Sequence, residues 1–443
     1  MSPGLLALIT FSILMVLILS GVQLCTSLMI TSVIGVFLIT NNFSTAMNVL
    51  AQAAWAQIRQ YMFGVIPLFV LMGMLANLSG ASQELYDSAS LLLKRVRGGV
   101  GIATIIANAI FAAITGVSIA SAAVFTKIAF PQMTRLNYNR RVAVGTVSGS
   151  AVLGMLIPPS LLMIVYGSQA DTSIGKLFIA GVGPGIVLTI AFIITILLIA
   201  KLHPDYIPEV EPLTEEEKKN FWKIVLKPWA IILLIVISLG GIWMGFFTPT
   251  EAGGVGAFGA FLIVLLKRKF NVKTMWDTLL STASTTGGVL ILLISANTYS
   301  KCLSMAGVIN LISNFLENLN VPPVVVILIF MVILLALGCI LDSTSILLLT
   351  IPLMVPTIRT LGYDPVWFGI VMIISVECGL ITPPFGMNVY TVKAALMGIP
   401  GGEDATIEEI FAGSMPFLIA MLVVLLMCIF VPGIVTFLPN LMI

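Results

Sequence analysis

The chain has 443 residues, 59% hydrophobic and only 9% charged, with a formal net charge of +2 and a mean hydropathy of +1.13. A soluble domain is nearer to a quarter charged, and 21 basic and 19 acidic side chains do not cover the cores that a soluble chain of this length would build, so the chain reads as a polytopic membrane protein. The single histidine, His203, excludes a His-based zinc site and argues against a Ser-His-Asp hydrolase; Cys25, Cys302, Cys339, Cys378 and Cys428 form no CxxC pair and read as packing residues; and the charge balance offers no field for nucleic acid.

A crossing helix needs about 20 apolar residues. The first predicted crossings are 4–20 and 22–40. The segment 4–20 lacks a basic flank and a cleavage site, so it is expected to be retained. Residues 44–58 are polar enough to lie along the interface as an arm anchored by Trp55, followed by a crossing at 61–79. The apolar stretch 98–131 carries Thr115, Gly116 and Ser118 near its middle. Each half is too short to cross, which predicts a re-entrant hairpin whose tip sits in protein or water. Crossings at 142–166 and 177–200 complete a first unit, 1–200.

Residues 201–228 hold five lysines, five glutamates and several prolines and read as a linker. The second unit, 229–443, contains crossings at 229–247, 253–266 and 288–306 and an arm at 273–285 with Trp276. A second hairpin at 324–357 follows, then crossings at 366–392 and 411–436. The expected fold is all-α, with about ten crossings, two re-entrant hairpins and interfacial arms.

The two units match at an offset of about 225 residues: Gly154-Met-Leu-Ile-Pro158-Pro159 with Gly379-Leu-Ile-Thr-Pro383-Pro384, Ser118 with Ser343, Pro131 with Pro356. Basic residues cluster at 94–97, 135–141, 201–227 and 267–273, while the loops matching the first, second and fourth of these carry almost no charge. By the positive-inside rule those clusters are cytoplasmic, the second unit is inverted relative to the first, and both termini lie outside the cytoplasm. Inverted repeats with interrupted helices near the midplane are the architecture of secondary transporters, so no enzyme activity is expected.

Two prolines in succession remove backbone donors and unwind a helix. The freed carbonyls suit a hard cation such as Na⁺, and the half-helix N-termini beginning at Ser160 and Phe385 suit a carboxylate. The first predicted cation site takes Ala112, Thr115, Gly154, Ile157 and Pro159; the second takes Gly338, Gly379, Thr382 and Phe385. Most ligands would be backbone oxygens, with the Thr382 hydroxyl added. Asp342, deep in an apolar run, either caps the returning half of its hairpin or meets the substrate, and the two roles are compatible. Ser118 and Ser343 either hydrogen-bond a polar substrate or cap their helices. Asn388 follows the second break and would line the site. Glu377, Lys127 and Lys393 rank behind the tips.

The pattern resembles the large membrane subunit of tripartite ATP-independent periplasmic (TRAP) transporters. The resemblance covers essentially the whole chain and is carried by 64–82 (GVIPLFVLMGMLANLSGAS), 154–160 (GMLIPPS), 248–253 (TPTEAG), 338–345 (GCILDSTS) and 379–390 (GLITPPFGMNVY). It implies a bacterial inner-membrane importer with an elevator motion and at least two Na⁺ ions. The implied partners are a small four-helix membrane subunit on a separate chain and a soluble periplasmic substrate-binding protein. The implied substrates are organic acids, either C4-dicarboxylates or sialic acid and related sugar acids. The positions matched to substrate contact are Ser118 and Asp342, with Ser160 and Asn388 nearby. A stand-alone Na⁺/organic-anion symporter of the wider ion-transporter superfamily is the alternative. Such proteins typically carry Ser-Asn-Thr at both tips, where this chain has Thr-Gly-Val-Ser and Asp-Ser-Thr-Ser.

Overall fold

The computed structural model describes residues 3–209, 212–308, 311 and 322–442. Among these the regular structure is entirely helical. Several helices begin behind a capping side chain. Asn42, Asn139, Ser160, Ser173, Asp342 and Asp364 each accept a backbone N–H. Thr214, Thr248 and Thr406 do so within complete capping boxes. Such caps satisfy N–H groups that have no partner within the helix.

The first unit comprises α1 (Pro3–Leu19), α2 (Leu24–Thr40), α3 (Phe43–Ile58), α4 (Val65–Leu78), α5 (Ala81–Leu93), α6 (Gly99–Thr115), α7 (Ser118–Arg135), α8 (Arg140–Ala151), α9 (Leu153–Leu156), α10 (Leu161–Gln169) and α11 (Ile174–Leu202). Helix α12 (Glu215–Val225) lies in the linker. The second unit comprises α13 (Trp229–Trp243), α14 (Pro249–Leu266), α15 (Val272–Met305), α16 (Pro323–Gly338), α17 (Ser343–Thr360), α18 (Pro365–Gly379), α19 (Met387–Leu396), α20 (Ile407–Phe430) and the short α21 (Gly433–Thr436). Seven helices among the described residues are long and apolar enough to cross a membrane, which makes this a multi-pass membrane protein.

The succession α6, α7, α8, α10, α11 recurs as α16, α17, α18, α19, α20. The two sets interdigitate: α10 packs on α17, α19 on α7, α20 on α8 and α11 on α18. Tyr166 Oη donates to the Pro365 carbonyl (2.7 Å) and Arg359 Nη2 to the Ala170 carbonyl (2.5 Å), joining the halves from both directions. A second group packs beside this bundle, with α4 on α14, α15 on α2 and α13 on α14. Its outer faces expose Leu8, Phe11 and Val16 of α1 and Leu233 and Val236 of α13, surfaces suited to lipid tails.

The arms are not equivalent. Helix α3 is separate and turns Ala46, Ala53 and Gln57 inward, while Trp55 is exposed. The expected second arm, 273–285, is instead continuous with the following crossing in the 34-residue α15. Nothing between them breaks the helix: there is no proline, and Gly287 and Gly288 stay helical. At about 1.5 Å per residue α15 is about 51 Å long, well beyond a hydrocarbon core of about 30 Å. The amphipathic α5 was not among the expected elements. It buries Leu85, Tyr86 and Ala89 and bends 63° from α4.

Ion pairs and backbone hydrogen bonds tie the basic loops together. Lys94 meets Glu217 at 2.7 Å, Lys267 meets Glu84, and Arg140 meets Glu409 at 2.9 Å. Arg97 donates to the Pro204 carbonyl (2.8 Å), and the Asn139 N–H to the Tyr206 carbonyl (2.9 Å). Partly exposed pairs of this kind each contribute about 0–1 kcal/mol; what they establish is the proximity of the loops.

Candidate functional site

Hairpin one turns at Gly116. Its φ of +63° closes α6 with an N–H to the Ala112 carbonyl at 3.0 Å, a conformation that glycine adopts more readily than residues with a Cβ. A Cβ there would lie 2.4 Å from the Pro159 carbonyl oxygen, and one at Gly154 would lie 3.0 Å from the Ser118 Cα. The Leu161 N–H donates to the Gly116 carbonyl at 3.1 Å. The tip therefore seats directly on the first broken helix, and Ala112, Thr115, Gly154 and Pro159 are brought together. The Ala112 carbonyl already accepts one bond, and Thr115 Oγ1 donates to Phe111 at 3.1 Å. Each oxygen keeps a second lone pair for a cation. Ile157 adopts extended backbone at the break, and its side chain packs on Gly185. Ser160, expected near the substrate, has local partners as well. Its hydroxyl donates to the Met155 carbonyl (2.5 Å) and accepts from the Met163 N–H (3.4 Å), so it bridges the break as a buried cap.

The second tip and break are built differently. Gly338 and Gly379 touch backbone to backbone: a Cβ at Gly379 would lie 2.4 Å from the Gly338 Cα. The Gly379 carbonyl accepts the Thr382 N–H (3.0 Å), and Thr382 Oγ1 donates to Cys378 (2.7 Å). Gly338, Gly379 and Thr382 are thus close together. Phe385 is not at a half-helix start, because α19 begins two residues later behind Gly386, and its side chain is 54% exposed. Pro383 and Pro384 are exposed as well, whereas Pro158 and Pro159 are buried.

Asp342 caps α17: its carboxylate accepts the Ser345 N–H at 3.0 Å and the Ser345 hydroxyl. The carboxylate's remaining lone pairs leave a substrate contact open. Asp342→Ala is expected to destabilise the protein by about 1 kcal/mol through loss of the cap, with Asp342→Asn restoring most of it. Melting curves of the purified variants check this; equal melting for all three removes the cap from the account.

The residue that sequence reasoning ranked too low is Glu377. It lies on α18 and is 1% exposed, and Ser343 Oγ donates to its Oε1 at 2.9 Å. Ser118 Oγ, fully buried, faces the same carboxyl without closing a hydrogen bond. The two tip serines thus meet at one acid. Its signal was present, since a carboxylate in an apolar run is as costly at 377 as at 342. Asn388 is fully buried with both side-chain polar atoms unpaired, at the start of α19, which packs on α7. An unpaired buried amide is costly to stability and points to a ligand contact. Lys393 lies outside the cluster, donating to the carbonyls of Glu403 and Ala405.

The chain is similar to known proteins along most of its length. The chain is 33% identical over 381 residues to the C4-dicarboxylate TRAP transporter large permease protein DctM of Pseudomonas aeruginosa, covering 86% of each. It is 31% identical to the 2,3-diketo-L-gulonate TRAP transporter large permease protein YiaN of Escherichia coli (84% of each). To the sialic acid TRAP transporter large permease protein SiaM of Vibrio cholerae it is 29% identical, covering 91% of this chain and 92% of that one. In fold it is similar to the YdaH transporter of Alcanivorax borkumensis, with a TM-score of 0.60 at 14% identity over 89% and 88% of the two chains. A similar match is MtrF of Neisseria gonorrhoeae, with a TM-score of 0.59 at 15% identity over 89% and 86%. Residues 11–434 match the family model of the tripartite ATP-independent periplasmic transporter, DctM component, and the chain belongs to that family as a TRAP transporter large membrane subunit.

Proposed function

We propose that this subunit imports an organic acid anion across the bacterial inner membrane, driven by Na⁺. The observation that carries the reading is the seating of each hairpin tip against the broken helix that follows it, with Ser118, Ser343 and Glu377 buried at the tips and breaks and Asn388 buried at the start of α19. Backbone oxygens at 112–115 with 154–159, and at 338 with 379–382, supply two Na⁺ sites. The anion lies between the tips, with Ser118 and Asn388 as its principal contacts. Ser343 acts through Glu377, Ser160 through the first break, and Asp342 through the cap of α17. The interdigitated α6–α11 and α16–α20 move as one body against α1–α5 and α13–α15, an elevator, with the basic loops on the cytoplasmic side and both termini outside.

The substrate class follows the named relatives: a C4-dicarboxylate, a keto sugar acid or a sialic acid. A soluble periplasmic binding protein delivers it, and a small four-helix membrane subunit completes the permease. In proteoliposomes containing all three proteins, uptake is expected only with an inward Na⁺ gradient and with the loaded binding protein outside. Uptake by this chain alone would establish the stand-alone symporter instead, and uptake indifferent to Na⁺ would remove the coupling.

A further inference from the structure

We propose that Glu377, together with the hydroxyls of Ser118 and Ser343, forms a third cation site, taking Na⁺ and distinct from the two carbonyl-based sites. Its three residues come from α18, α7 and α17 and are at most 4% exposed. Ser118 and Ser343 are repeat partners, whereas the position matching Glu377 is the apolar Val152. The cluster therefore arises once, where the two tips meet. Glu377 Oε1 holds the Ser343 hydroxyl at 2.9 Å, while Glu377 Oε2 and Ser118 Oγ are buried and unpartnered. Among the described residues no lysine, arginine or histidine forms an ion pair with Glu377. A buried carboxylate is strongly unfavourable unless a cation or a proton neutralises it. Carboxylate and hydroxyl oxygens are hard ligands, matched to a hard cation. A hydroxyl that donates to the carboxylate still presents lone pairs to an ion.

The site also has a consequence for transport, resting on the organic-anion reading above. An anion reaching the tips would be repelled by an ionised Glu377. A Na⁺ ion held between them replaces that repulsion with attraction, so anion and cation each raise the other's affinity by the same factor.

The test is equilibrium dialysis of the purified full-length chain against radiolabelled Na⁺, with choline keeping ionic strength constant. Glu377→Gln, nearly isosteric, is expected to bind one Na⁺ fewer than the parent. Ser118→Ala is expected to keep the count at saturation but weaken one site by about ten- to a hundredfold. An unchanged Na⁺ count in Glu377→Gln, or unchanged affinities in Ser118→Ala, overturns the site. If the parent chain binds no Na⁺, this site and the Na⁺-coupled reading fall together. Loss of one Na⁺ in Glu377→Gln, alongside anion uptake that ignores the Na⁺ gradient, supports the site and removes only the coupling.

Discussion

Gly379→Ala is expected to abolish Na⁺-driven uptake and to lower melting stability by about 1–3 kcal/mol, the cost of overpacking a filled interior. The new Cβ would sit 2.4 Å from the Gly338 Cα, 2.7 Å from its carbonyl carbon and 3.1 Å from the Leu335 oxygen. All three are backbone atoms, so no rotamer change relieves the clash, and α16 must move off α18. That displacement separates the carbonyls assigned to the second Na⁺ site. Gly288→Ala is the matched control: it lies inside α15 with nothing within 4 Å. It is expected to leave uptake intact and to stabilise by about 0.5–1 kcal/mol through helix propensity. Uptake and melting curves of the two variants decide the matter. Uptake in Gly379→Ala equal to the parent would remove the Gly338–Gly379 contact from the mechanism.

Asn388→Leu is expected to separate function from stability. Both polar atoms of Asn388 are buried without partners, and removing an unpaired buried amide recovers about 1–3 kcal/mol of desolvation cost. The variant should melt at or above the parent's temperature. Its uptake should fall by about ten- to a hundredfold, the equivalent of a hydrogen bond to a charged group worth about 1.5–3 kcal/mol. Asn388→Asp, which replaces a donor with a charge facing the anion, should lose uptake as well. A drop in melting temperature with uptake preserved would make Asn388 a structural residue.

Much of the site was legible because its signals are local. A hairpin shows itself as polar residues in the middle of a run too apolar to be a loop, and Pro158-Pro159 and Pro383-Pro384 interrupt helices by their own chemistry. Gly116, with no Cβ, marks a turn that glycine makes more readily than its neighbours. What each polar group does was not legible. Ser118, Ser160 and Ser343 are the same residue type in similar settings. One is unpaired, one spans a helix break and one donates to a glutamate 34 residues away. Hydropathy averages over those outcomes, since it reports transfer from water rather than the partner found inside. Likewise 44–58 and 273–285 are comparably polar, yet only the first is a separate helix, because only it ends in a non-helical turn.

By itself, then, the sequence determined the membrane setting, where the two Pro-Pro helices break, and the family. Those follow from composition, spacing and charge along one segment at a time. Tertiary structure alone decided which groups meet: Ser118 and Ser343 at Glu377, Gly338 against Gly379, α10 of one half on α17 of the other. Such contacts join residues as many as about 260 positions apart, and they depend on how helices pack rather than on what any one helix contains.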